Sequence, residues 1–385
     1  MAKKKRKFQM THGMSVALRV AVAVIVVVVL FLMAAERLNI ATVTDINDSL
    51  RSSFSGMNPG SGYPYKINSS SVRGMTVLNG DLYILTSQDT VSLDSTANEI
   101  KRSSHTFSQP AFATRGSKAV VYNRNGNRFR VENRTDTLFT GETPDDEKII
   151  TAAIGAKGNI ALATFSNDCT SKLTVYSTNY KKTVFGWNCA QDTITSVDLS
   201  DNGKYAAVCV VGARDGEIYS KVVIFDFDYS EPKAEFEYFG TAMLAVHFGK
   251  NDNVVAVGDD RISFIKGLKN KEDMEYGSSA LSNFAFSEDG YTVLALSEHG
   301  STNNEKLYCF SPNLSKTCEK KFESVIKSLG IYKGHISVLL ENQVLVLKTN
   351  GGTYKKYDAD NTAIAVYSIG NRTYLYTTGE IKRCK

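Results

Sequence analysis

Histidine, tryptophan and proline are scarce in this sequence, at 5, 1 and 6 of 385 residues. No histidine stands two or four positions from another, so a paired histidine metal site on one strand or helix face is absent. The six cysteines show no C-x-x-C spacing, which removes the usual zinc frameworks. No G-x-S-x-G elbow, P-loop or dinucleotide fingerprint occurs, so neither a hydrolase serine nor any cofactor is expected. With so few prolines there is little room for low-complexity linkers. Charge is also missing from the bulk of the chain. Residues 1–19 carry Lys3, Lys4, Lys5, Arg6, Lys7 and Arg19 and no acid, while the remainder sets 39 basic residues against 40 acidic ones. That balance gives no reason to expect a nucleic-acid partner.

The long apolar run is present. Residues 20–35 contain no charged side chain, and residues 14–35 are interrupted only by Arg19. A helix of about 20 residues spans the roughly 30 Å hydrocarbon layer, and Arg19 lies near enough to one end to snorkel. The β-branched stretch 24–29 would read as a strand in water. In lipid, unpaired backbone groups force a helix. Basic residues precede the run and only Arg37 follows closely, so the N-terminus is expected in the cytoplasm and the rest outside it. The alternative is a cleaved signal peptide, against which the run is long and residues 32–36 lack an A-x-A site. The expected layout is a basic cytoplasmic tail at 1–13, a transmembrane helix at 14–35, a stalk at 36–62 and an extracytoplasmic domain at 63–385.

Beyond Tyr63, short apolar β-type runs alternate with Gly, Asn and Asp turns. One unit repeats. Its first turn recurs at Asn79-Gly80, Arg115-Gly116, Lys157-Gly158, Asn202-Gly203, Asp252-Asn253, Asp289-Gly290, Lys333-Gly334 and Gly370-Asn371, at intervals of 36 to 50 residues. Four short strands in about 40 residues is the arithmetic of a β-propeller. The strand after each turn is apolar on both faces, as a strand sandwiched between blades must be. The last unit stops after three strands, and the stretch 63–68 precedes the first unit without a partner. Pairing that stretch as the outer strand of the last unit predicts an all-β, eight-bladed propeller, with seven blades the alternative.

Two cysteine pairs fit hairpins between third and fourth strands. Cys169 and Cys189 share the index sum of 358 set by a turn at Asn179, and Cys309 and Cys318 share the 627 set by the turn at 312–315. Facing residues stand about 4.5–5.5 Å apart at Cβ, close enough for two candidate disulfides after small adjustment. The alternative is four free thiols. Cys209 and Cys384 fall in units four and eight and are not expected to bridge.

Chemistry is otherwise thin. His247 reads as a packed residue of an inner strand. In Asp226-Phe227-Asp228, strand alternation turns Phe225 and Phe227 inward and the acids outward. Asp259-Asp260-Arg261 reads as a turn. A central-channel enzyme would need a convergent His/Asp/Glu cluster on the first strands, which offer mainly Met75, Phe112, Ala153, Val197, Val246 and Phe284. Loop length is the irregularity. The second-to-third connections are long at 211–219 and 297–305, and insertions of this kind mark binding faces. Arg214, Asp215, Glu217, His299, Asn303 and Asn304 are the candidate partner-facing residues.

The segments 197–208 and 284–290 resemble the S-x-D-G-x-x-x-A pattern of surface-layer and translocation-protein propellers. The basic tail and span, Gly62-Tyr63-Pro64, the run 120–124 (Val-Val-Tyr-Asn-Arg) and the run 255–261 (Val-Ala-Val-Gly-Asp-Asp-Arg) together resemble a family of membrane-anchored propeller proteins of Gram-positive bacteria with no assigned function. That resemblance implies the fold and the anchor, and no activity. The expectation is a non-enzymatic module, held at the membrane by one helix and presenting a loop face to an envelope protein or glycan. The rivals are a channel enzyme and a ligand-binding sensor.

Overall fold

The computed structural model describes residues 60–67, 71–298 and 303–385, together with Val22, Val26, Val27, Asp45, Asp48, Ser49 and Arg51. The expected span and stalk fall largely outside the described residues. Among the described residues no helix is long and apolar enough to cross a membrane.

From residue 65 onward the chain builds eight four-stranded antiparallel sheets. Seven are consecutive in sequence, at 72–104, 110–142, 149–189, 193–239, 243–275, 280–322 and 328–358. The eighth takes three strands from 363–383 and its outermost strand from Tyr65–Lys66, with Tyr65 facing Ile381 and Lys66 facing Glu380. The sheets are the blades of an eight-bladed propeller, closed without a covalent link by its first and last strands. The closing strand is short because only Tyr65 and Lys66 pair. Rings stabilise it: Tyr63 lies 5.0 Å from Tyr374 in a tilted contact.

The second strand is deeply buried in most blades, with Ile160–Thr164 and Val254–Gly258 buried at every position. Each is covered by a neighbouring blade on both faces, so alternation gives way to a continuous apolar run. The outer strands alternate or are mostly exposed, as in Asn270–Glu275 and Thr353–Asp358. Their charges blunt an edge that would otherwise invite pairing with another chain.

Neighbouring blades meet in two chemically different ways. Between blades three and four the seam is apolar, with Leu173, Val175 and Phe185 against Ile194, Val208 and Phe225. Trp187 stands 4.8 Å from Phe225, so the single tryptophan is a packing residue. Between blades one and two the seam holds ions. Glu132 is fully buried and is bound by the Tyr83 hydroxyl and the Lys101 ammonium. Arg130 lies 3.6 Å from the same carboxylate and donates to Thr90 Oγ1 and the Ser103 and Ser104 carbonyls. Its Nε is sealed without an acceptor.

Because strands alternate in direction, the first-to-second and third-to-fourth turns emerge on one face of the disc. The second-to-third and fourth-to-first connections emerge on the other.

Candidate functional site

Two regions stand out as candidate sites, one on each face. The first is the central channel where the inner strands end, beside the first-to-second turns. A cavity of about 330 Å³ opens there. Thr114 and Arg115 come from the end of blade two's first strand, Asp198 from blade four, His247 from blade five and Glu288 from the turn of blade six. Arg115 is buried and reaches past blade three, whose inner strand carries small Ala152 and Ala153, to bind Asp201 and approach Asp198 at 3.9 Å. Asp198 Oδ2 accepts from His247 Nδ1 at 2.9 Å and from the Phe248 amide at 2.8 Å. His247 Nε2 lies 3.1 Å from the Ser287 carbonyl, and its ring stacks on Phe286 at 4.8 Å. Glu288 reaches across the channel to accept from the Gly116 amide at 2.7 Å, joining opposite blades.

Burial alone would raise the Asp198 carboxyl. His247, Arg115 and the Phe248 amide outweigh it and hold the group below its usual range. Glu288 is raised by the protein mass around it, although the Gly116 amide and Arg115 oppose that. Each ring nitrogen of His247 faces an acceptor, the Asp198 carboxylate on one side and the Ser287 carbonyl on the other. Neither nitrogen is free to take a proton from a substrate.

This cluster corrects one sequence expectation and adds to another. The first strands do bring charged groups together, through Arg115, Asp198 and His247 rather than through their apolar neighbours Val197 and Val246. His247 is packed, as expected, but as a hydrogen-bonding member of a polar network. The partners come from four blades and are separated by up to 173 positions, so no local spacing announces them. The available signal was an acid and a histidine on strands expected to be apolar.

The second region lies on the opposite face. The expected long loop of blade four is instead a continuous hairpin, Tyr205–Arg214 and Glu217–Asp226. Asp215 and Gly216 form the tip, both with positive φ (54° and 84°), as a two-residue type I′ turn demands. The inner neighbour ends where Thr193 faces Val211, and the outer one where Phe239 faces Tyr219. Beyond those pairs, 212–218 stands as a two-stranded ribbon. At about 3.4 Å per residue its three or so extra residues per strand reach about 10 Å out. Arg214 covers the Tyr219 ring at 4.5 Å and lies 5.9 Å from that of Phe239. Arg214, Asp215 and Glu217 are thus gathered at one tip, with exposed Ile218 beside them. Asn303 and Asn304 are exposed on the same face in blade six. His299 lies outside the described residues.

All six cysteines are free thiols in this structure. Cys309 faces Cys318 as the index sum required. Both sulfurs sit in the apolar seam between blades six and seven, and burial raises the Cys309 thiol to about 11. Cys189 faces Ser171 rather than Cys169. The hairpin turns half a residue later than Asn179, and a bulge skips Val184, so the pairing slips by two. Asp226 also departs from expectation: it is buried and bonded to Lys233 at 3.1 Å. Asp260 and Arg261 form the expected turn, with paired contacts of 2.9 and 3.0 Å. Among the described residues, no three His, Cys, Asp or Glu side chains cluster as metal ligands.

The family of unknown function DUF5711 matches residues 61–385. The chain belongs to that family. No curated protein matches. Among solved structures, BamB from Moraxella catarrhalis is similar at 12% identity and a TM-score of 0.51, covering 84% of this chain and 100% of its own. The C-terminal WD40 domain of Sif2 is similar at 12% identity and a TM-score of 0.58, covering 84% and 98%. Saccharomyces cerevisiae Sqt1 follows at 8% identity and 0.58, covering 85% and 99%. At these identities the likeness of this DUF5711 chain to them is one of fold.

Proposed function

We propose that this protein is a non-enzymatic interaction module that binds a protein partner through the face bearing the blade-four ribbon. One observation carries the reading. Of the large apolar side chains exposed on the propeller, Phe165, Ile218, Phe239, Leu244, Val325 and Ile364 lie on that face, against Val184, Tyr229 and Tyr354 on the other. Single exposed apolar residues are ordinary, but a bias to one face together with a projecting Arg/Tyr/Phe stack has the composition of an interface centre. The apolar run at 14–35 behind a basic tail supports a propeller tethered outside the cytoplasmic membrane, with an envelope protein as the partner.

The test places a photo-crosslinking residue at Ile218 or Phe239 in living cells, with Tyr229 on the opposite face as control. A discrete adduct from the first two positions and none from Tyr229 is expected, and Phe239→Ala should weaken it about tenfold or more. Equal labelling from both faces, or labelling from Tyr229 alone, removes the proposal.

Channel catalysis is the second reading, favoured by the Arg115–Asp198–His247 cluster. The Ser287 carbonyl on His247 Nε2 speaks against it, because a general base needs that nitrogen free for substrate.

A further inference from the structure

Away from the channel, on the face opposite the blade-four ribbon, a cavity of about 360 Å³ opens between blades three and four. Lys157 and Lys204 line it from the first turns of the two blades. Asn159 lines it from just before blade three's second strand, Val184 from that blade's outer strand, and Phe227 from just after blade four's third strand.

Charge is the first feature that selects an occupant. Lys157 stretches from blade three over Gly203 of blade four, where an added Cβ would meet its Cδ at 3.2 Å. Among the described residues, neither the Lys157 nor the Lys204 ammonium has a partner. The turns 155–159, 177–182, 200–204 and 227–233 around the cavity hold Lys157, Lys181, Lys182 and Lys204 unpaired, against unpaired Asp228 and Glu231. Asp201 and Asp226 are already taken by Arg115 and Lys233. The surplus of open ammonium groups favours an anion.

The amide of Asn159 adds a donor. The residue is 6% exposed, and its Oδ1 is sealed without a partner beside Gly155, whose added Cβ would stand 2.4 Å from it. Buried polar groups ordinarily find partners. No described group accepts from Nδ2 either, so the NH2 is the end left for an occupant, and it donates. The remaining wall is apolar. The bulge that skips Val184 leaves its side chain 40% exposed, and Phe227 is held against Phe185 at 5.4 Å.

We propose that this cavity binds a small organic anion with an apolar tail, its head on Lys157, Lys204 and the Asn159 amide and its tail on Val184 and Phe227. The combination of an apolar wall with a few convergent polar groups is that of a small-molecule site. The cavity stands on the face away from the partner surface and does not rest on that reading.

The experiment is a ligand-observed NMR titration of the full-length chain in an uncharged detergent at pH 7, with protein-free detergent as the blank. Hexanoate is expected to bind in the millimolar range. Hexanol and protonated hexylamine, of the same length, should each be about tenfold weaker or more, because the first leaves the ammonium groups unpaired and the second is repelled by them. Acetate should be about tenfold weaker or more for want of the tail. The double variant Lys157→Met, Lys204→Met should weaken hexanoate about tenfold, and Val184→Ser about threefold. Lys250→Met, on the first turn of blade five, should change nothing. All four substituted side chains are exposed, so the fold is not at stake. Absence of hexanoate binding, binding of hexanol or hexylamine as tight as hexanoate, or unchanged hexanoate affinity in the double lysine variant overturns the proposal.

Discussion

The seam between blades one and two and the seam between blades three and four fill equivalent gaps with opposite chemistry. In the first, Glu132 is surrounded by Tyr83, Lys101 and Arg130. In the second, Phe185 and Trp187 pack on Phe225 among aliphatic side chains. A buried ion pair recovers its desolvation cost only while every partner is present, so the polar seam is all-or-none. The apolar seam loses stability in proportion to what is removed from it. One ring therefore contains a joint that fails abruptly beside one that degrades gradually.

Substitutions can separate the two. The largest effect is expected for Glu132→Ala, which strands the Lys101 and Arg130 charges; a loss of about 3–5 kcal/mol by urea denaturation is predicted. A loss below about 1 kcal/mol would show that water reaches the seam and that its ions behave as surface charges. Leu173→Ala in the apolar seam should cost about 2–4 kcal/mol. That cost should be the same at every pH where the protein is folded, because no titrating group is touched. The smallest effect is a change of slope. Asp198 has its folded-state pKa depressed, so its contribution is present above the ordinary carboxylate range and is lost as pH falls through the lowered value. Asp198→Asn should flatten the acid limb of the stability profile while Leu173→Ala shifts the whole curve. An acid limb of unchanged slope in the Asp198 variant would mean that other carboxylates dominate it.

Much of the fold was legible because it is written in local pattern. All eight first turns, from Asn79-Gly80 to Gly370-Asn371, fall between the first and second strands of a blade. The closing strand was found by counting what lacked a partner, and Tyr65 does face Ile381. The misreadings have equally local causes. Asp215-Gly216 reads as part of a long loop because Arg214 to Glu217 look like coil, although they continue two strands. The Cys169–Cys189 register failed because a bulge at Val184 is silent in an index sum. The channel cluster was illegible for a different reason. Arg115, Asp198, His247 and Glu288 converge only after the ring closes, and no spacing within one unit records which blade lies opposite another.

That closure has a consequence for how the molecule is made. Tyr65 and Lys66 leave the ribosome more than 300 residues ahead of Glu380 and Ile381, the residues they pair with. Seven sheets can assemble in order while the nascent chain lengthens, yet the eighth waits until residues 363–383 have been made. During that interval the inner flank of blade one and the outer edge of the growing arc both lack neighbours, and any chain released early is left as an open crescent with two sticky rims.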